Sequence, residues 1–210
     1  KASDLHTTLE RFGAGEIRVL LGTQMIAKGL DFPNVKLVGI IDADTAIDLP
    51  DFRASERTYQ LVSQVCGRCG RGEGSATAII QTFSPDAPAI ILASKTEYET
   101  FATNELQFRQ NAFVPPACRM ARFIIKDNSF ERTAVRADSL LARLQSIDAI
   151  GMTFSPVAPC VLPRIADRFR FDLTVTSATS QSMQNFLQEA RKIIKSGRDV
   201  AIDVDPLSML

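Results

Sequence analysis

The stretch Gln64-Val-Cys-Gly-Arg-Cys-Gly-Arg71 carries the most suggestive chemistry in the chain. It ends a segment, residues 52–66, in which Phe52, Tyr59, Val62 and Cys66 fall near one face of a helix. Arg68 and Arg71 stand three positions apart, each directly after a glycine. At helical spacing both guanidinium groups project from one side, and glycine allows either close backbone approach or a helix end. Two convergent, permanently charged forks suit the γ-phosphate of a nucleotide, whose oxygens gather charge in the transition state. That is the logic of an arginine finger. The same spacing also describes a solvated basic helix end, and the pattern alone leaves both readings open.

A second stretch, Gly22-Thr-Gln-Met-Ile-Ala-Lys-Gly-Leu-Asp-Phe-Pro33, follows directly on a short apolar run at residues 17–21 that reads as a buried strand. Two other arrangements imitate sites. Cys66 and Cys69 have the C-x-x-C spacing of a zinc or thiol-redox motif. A structural zinc needs four ligands, however, and Cys118, Cys160 and His6 are singletons, so small apolar packing explains the pair better. Leu37-Val-Gly-Ile-Ile-Asp-Ala-Asp44 resembles a strand that ends in magnesium ligands. No Gly-x-x-x-x-Gly-Lys-Ser/Thr loop occurs anywhere in the chain, so Asp42 and Asp44 receive no catalytic role.

Apolar runs at 17–21, 36–41 and 76–82 alternate with the helical segment 52–66, as in a parallel α/β sheet. So few strands make this half look truncated at its N-terminal side. A charged, helix-favouring stretch at 94–110 then leads to the clearest seam, Phe113-Val-Pro-Pro-Ala117, where two prolines stop both helix and central strand. Beyond it Ala121, Phe123 and Ile125 alternate as a strand, and Phe130, Ala134, Ala137, Leu141 and Leu144 recur at helical spacing. A weak strand is expected at 151–156. Phe169, Phe171, Leu173 and Val175 form a half-buried strand. Met183, Phe186, Leu187, Ala190, Ile193 and Ile194 mark an amphipathic helix stopped by Gly197, and Val200, Ile202 and Val204 close the chain. The order is βαββαβ, a split βαβ domain of α+β type. The expected division is 1–93, a linker at 94–117, and 118–210.

Composition sets outer bounds. The 210 residues are 45% hydrophobic and 23% charged, an ordinary globular balance. No run approaches the roughly 20 apolar residues of a membrane span, and nothing at the start has signal-peptide character. The first residue is Lys, so the chain is expected to be cut from a longer one. Residues 118–210 hold 13 Lys and Arg against 10 Asp and Glu, while residues 1–117 hold 11 against 14, an asymmetry too small to announce a nucleic-acid binder. Four scattered cysteines fit a reducing compartment.

Gln-x-x-Gly-Arg-x-Gly-Arg resembles motif VI of the superfamily 2 helicases, and Thr23 to Asp31 resembles their motif V. Both motifs belong to the second RecA-like lobe and occur here in that order. The fuller string from Gly22 through Asn34 and Val35, together with Pro50-Asp-Phe-Arg-Ala-Ser-Glu-Arg57, Val114-Pro-Pro116 and Asp203-Val-Asp-Pro206, narrows the resemblance to the primosomal protein N′ family of bacterial replication-restart DNA helicases. The match runs from about residue 10 to the end of the chain.

The resemblance implies a partial RecA-like lobe followed by a small DNA-facing domain. Arg68 and Arg71 would contact ATP phosphates, with Gln64 organising them. Gly29 and Asp31 would face the nucleotide cleft. Thr23, Gln24 and Lys28 would lie toward the DNA backbone. In the second half a basic loop, with Arg164, Arg168 and Arg170, would neutralise phosphates of DNA, and stacking by Phe169 and Phe171 competes with a core role for both.

The implied cofactors are ATP and Mg2+, shared with a lobe this sequence lacks. The family's zinc is bound by a cysteine cluster upstream of motif V that is absent here. Implied partners are forked or junction DNA, with single-strand-binding and primosome proteins, in the cytoplasm and without a membrane. By resemblance the polarity is 3′ to 5′. Alone, the fragment is expected to be inactive; the alternatives are a docking module without catalysis, or a zinc or thiol protein. The sequence departs from the family at Leu30, where His is usual, and at Ile165-Ala-Asp167, where a Gly-Gly pair is usual.

Overall fold

The structure is a computed structural model describing residues 2–23, 34–67, 76–194 and 199–209. Contacts divide the chain into two compact units, one of Lys1–Leu49 with Ala54–Ala102 and the other of Pro50–Arg53 with Thr103–Leu210.

The first unit begins with helix α1, Ala2–Gly13. Strands β1 (Leu37–Ile40) and β2 (Thr77–Ile80) pair in parallel, with Leu37 opposite Thr77 and Ile40 opposite Ile80. A parallel pair needs a crossover, and α3, Ala54–Cys66, lies within it. The short helix α2, Asp44–Ile47, precedes α3, and α4, Pro88–Ser94, packs against it with proline in its first turn. Tyr59, Val62 and Val65 turn one stripe of α3 onto Ile40, Ala89, Ile90 and Ala93, and the Tyr59 ring stacks on Phe101 at 4.2 Å between centroids. Residues 17–21 differ from expectation. They form no strand, and Val19 and Leu21 are 72% and 82% exposed. Apolar composition supplies the side chains of a strand, but a strand exists only where a neighbour takes up its backbone hydrogen bonds.

Helix α5, Tyr98–Asn111, leads to the Pro115–Pro116 seam. The second unit is built on a five-stranded antiparallel sheet in the order β4-β6-β3-β7, with β5 also pairing β6. Its strands are β3 (Arg119–Asp127), β4 (Met152–Phe154), β5 (Ala158–Ile165), β6 (Arg168–Ser177) and β7 (Val200–Val204). Helix α6, Phe130–Gln145, connects β3 to β4, and α7, Ser180–Ile193, connects β6 to β7. Each helix starts on a hydroxyl cap: Ser129 accepts from Arg132 N–H at 3.3 Å and Thr179 from Ser182 N–H at 3.2 Å.

Period-two alternation sends Ala121, Phe123 and Ile125 of β3 to the face covered by the helices, where they meet Leu140, Leu144, Phe171, Leu173, Val175, Phe186 and Leu187. Phe123 and Phe186 meet edge to face at 6.4 Å. Met120, Arg122 and Ile124 alternate to the opposite face, which is also closed, with Arg122 only 1% exposed.

One strand was not foreseen. β5 pairs the start of β6 through a register shift between Pro159 and Arg164, so Arg164 to Arg170 is a tight β-hairpin rather than a loop. Ala166 and Asp167, with φ of 49° and 59°, make its turn, the left-handed pair that joins twisted strands best.

Candidate nucleotide and DNA sites

Gln64 is exposed on the last turn of α3, while Val62 and Val65 beside it are buried. The helix thus fixes its apolar stripe inward and presents the glutamine amide to solvent. Gly67 N–H donates to Ser63 O at 2.9 Å, which continues the helical pattern. A Cβ there would stand 3.1 Å from the Ser63 carbonyl, so the glycine fits where a larger residue would press on the turn. Thr23 is exposed and outside regular structure. Gln24, Lys28, Gly29, Asp31, Arg68, Arg71 and Cys69 lie outside the described residues.

Asp44 has a structural task. Its carboxylate, 3% exposed, accepts from Thr82 Oγ1 and Phe83 N–H at 2.8 Å each and from Ser84 N–H at 3.2 Å. Burial pushes this carboxyl up, but the bonds from Phe83, Thr82 and Ser84 together hold it below the usual value. Asp42 accepts from Thr45 Oγ1 at 2.9 Å. Both carboxylates serve the loops at the strand ends. Among the described residues no group of three or more His, Cys, Asp and Glu stands where it could hold a metal ion.

The basic hairpin is less free than a solvated loop. Arg164 is exposed, pairs with Asp167 at 2.8 Å and lies 5.3 Å over the Phe169 ring. Arg168 donates to Asp199 and, at 3.2 Å, to the Lys126 carbonyl. Arg170 is 8% exposed, with Nη1 3.4 Å from the Leu162 carbonyl and Nε without a hydrogen-bond partner among the described residues. Phe171 belongs to the core. Phe169 is half-buried, edge to face with the more exposed Phe130 at 5.8 Å.

Around Arg168 runs an ion-pair chain that sequence reading missed. Arg132 pairs with Asp127 at 3.1 Å, Arg136 with Asp127 at 2.7 Å and with Asp199 at 3.2 Å, and Asp199 with Arg168. The Arg136 hydrogen bond holds Asp127 below the usual carboxylate range, and Arg168, then Arg136, do the same for Asp199. The signal available in the sequence was the i, i+4 pair Arg132 and Arg136 at the start of a helix, where an arginine needs an acidic partner to offset the positive helix end.

Two family models match the chain. The helicase conserved C-terminal domain covers residues 1–73 and the primosomal protein N C-terminal domain covers residues 110–207. The replication restart protein PriA of Treponema pallidum is 37% identical over 100% of this chain, and that of Bacillus subtilis is 36% identical over 96%. The chain belongs to the PriA family. It spans 32% of the Treponema pallidum protein and 26% of the Bacillus subtilis protein, and the primosomal model identifies it with the C-terminal part of such PriA proteins. Among the described residues no helix is long and apolar enough to cross a membrane.

Proposed function

We propose that this chain is the C-terminal part of an ATP-dependent DNA helicase that moves 3′ to 5′ and restarts replication by assembling a primosome at stalled forks. The observation that carries this reading is the ordered pair of matches, a helicase C-terminal domain followed by a primosomal one, in a chain that keeps Gln64, Arg68 and Arg71. The first unit is then the back part of a RecA-like lobe, supported by the parallel β1–β2 pair and its crossover helix. The second is a split βαβ domain. Its strand order supports this, with β5 an added strand on the β4 side of β6.

ATP, bound with Mg2+, supplies the bond that is broken. Arg68 and Arg71 place permanent charge where the transferring oxygens gather it, and Gln64, exposed at the helix end, orients them. Gly29 and Asp31 line the nucleotide side of motif V, and Thr23, Gln24 and Lys28 its DNA side. Asp42 and Asp44 are engaged by their own loops and take no magnesium role in this reading. In the second unit Arg164 is the most available phosphate contact, and Arg168 joins it by exchanging Asp199 for a phosphate. Arg170 braces the strand beneath them. Single-strand-binding and primosome proteins are the protein partners.

The test is unwinding of forked DNA by the intact protein that contains this chain. Unwinding driven by ATP and abolished by Arg68→Ala with Arg71→Ala supports the reading. Fork binding without ATP-driven unwinding in the wild type would favour a docking module.

A further inference from the structure

The apolar stripe of α6 begins on Phe130, and there its burial fails. Ala137, Leu140 and Leu144 are enclosed, whereas Phe130 is 42% exposed. Ser129 is the cap, so Phe130 is the first helical residue. A helical side chain leans toward the N-terminus and covers the turn before its own Cα. At the first position that turn does not exist, and the ring reaches past the helix end to β6. It meets Phe171 at 5.0 Å and Phe169 at 5.8 Å between centroids, inclined by 66° and 88°. Phe171 belongs to the core, so two rings fix the orientation of Phe130 while part of it stays in water. A lone exposed phenylalanine would carry no meaning; this one is braced.

A second contact brings charge to the same place. The Arg164 guanidinium lies 5.3 Å over the Phe169 ring, so Phe169 touches both the cation and the exposed ring. Arg164 gives Nη2 to Asp167 at 2.8 Å, an exposed pair that a phosphate can displace at little cost. The other acids at this end of the sheet are answered in the same way, since Arg136 holds both Asp127 and Asp199. A surface so nearly neutral draws little affinity from phosphates alone, which is how duplex backbone is held without regard to sequence. What it offers beyond charge is a fixed aromatic face, and every unpaired base has a π-face to match it.

We propose that Phe130, braced by Phe169 and flanked by Arg164, is a stacking site for an unpaired base of single-stranded DNA. This rests on the DNA contact proposed above for the hairpin and names the form of DNA it takes. The base lies on the exposed part of the Phe130 ring and a neighbouring phosphate takes Arg164 from Asp167. Phe169, which the sequence offered for stacking, is the support beneath them.

Two variants of the chain and two strands test this. The strands are oligodeoxythymidine of about ten nucleotides, within the span of one such surface, and an abasic strand of the same length. Phe130→Ala is expected to weaken the thymidine strand at least about fivefold, the low end for one stacked base, and to leave abasic affinity and the salt slope at their wild-type values. The sequence contains no tryptophan, so Phe130→Trp adds a single reporter. It should keep wild-type affinity, and its fluorescence should be quenched by the thymidine strand and not by the abasic one. Thymidine affinity of Phe130→Ala within about twofold of wild type, or an unquenched tryptophan with the strand bound, overturns the stacking site and leaves the hairpin's phosphate contact standing. Equal weakening toward both strands would make Phe130 a structural support and also overturn it. Quenching by an acidic peptide in place of DNA would assign the ring to a protein partner instead. A wild-type chain that binds neither strand would remove the DNA contact itself, and the stacking site with it.

Discussion

Arg122 Nε donates to Asp172 Oδ2 at 2.6 Å, with the two side chains 1% and 16% exposed. The pair bridges neighbouring strands β3 and β6 on the sheet face away from the helices. Burying both charges is costly, so the pair is poor evidence of net stabilisation, but breaking it leaves an arginine uncompensated inside the protein. Asp172→Ala is expected to destabilise the second unit by about 3–5 kcal/mol. Urea unfolding followed by far-UV dichroism measures this, and a loss below about 1 kcal/mol would mean that water reaches the arginine.

At the hairpin tip, Ala166 and Asp167 hold φ values of 49° and 59°. A non-glycine residue in the left-handed region costs about 1–2 kcal/mol, and Asn-Gly carries this turn with less strain. Ala166→Asn with Asp167→Gly should therefore raise stability by about 1 kcal/mol. A lower melting temperature in calorimetry would show that the Arg164–Asp167 pair, lost in the same variant, outweighs the relief.

Acid should loosen the end of the sheet where Asp127 and Asp199 sit. Their carboxyls are held below the ordinary value, first by Arg136 and Arg168 respectively. A folded-state pKa that is depressed contributes stability fully present above the unfolded value, near 3.8, and lost as pH falls through the folded one. Unfolding midpoints measured from about pH 6 down to about pH 2 should fall steadily on the acid side. Arg136→Ala, which removes the main cause of the Asp127 shift and the second cause of the Asp199 shift, should flatten that fall; an unchanged slope would count against the ion-pair chain.

DNA binding by the hairpin should separate Arg164 from Arg170. Arg164 is exposed, and giving up its surface ion pair with Asp167 and its contact with the Phe169 ring costs little. Its replacement by Ala should lower the slope of log affinity against log salt by about 0.7–0.9. Arg170→Ala should lower stability and leave that slope alone, since the side chain is 8% exposed. Fluorescence anisotropy over a salt series reads both. Equal slopes in all three proteins would remove the hairpin from the DNA path.

Much of the second unit could be read from alternation alone. Phe123, Leu173, Phe186 and Ala190 are buried where their periodicity placed them, because period two and period 3.6 report directly which side faces the core. β5 escaped notice for a physical reason. Pro159 and Pro163 break its pattern, its residues are mostly exposed, and it pairs only through a shifted register, as an edge strand can. Arg168 and Arg170 looked like loop cations because a sequence does not show that both faces of a strand are covered. Val19 and Leu21 erred in the opposite direction: apolar side chains say nothing about whether a pairing neighbour is present. Motif VI rests on spacing alone, since Arg68 and Arg71 lie outside the described residues, and the bonds that Ser208 and Met209 donate to Asp51 escaped notice because they span more than 150 positions.

The most direct test of the central claim is single-turnover ATP hydrolysis by the intact protein carrying Arg71→Ala. Finger arginines contribute about 10³–10⁵ in rate, so the barrier should rise by about 4–7 kcal/mol with DNA affinity unchanged. Lys at this position should rescue poorly for want of the planar fork. Hydrolysis within about threefold of wild type, a change of less than 1 kcal/mol, would contradict the assignment of Arg71 to the nucleotide.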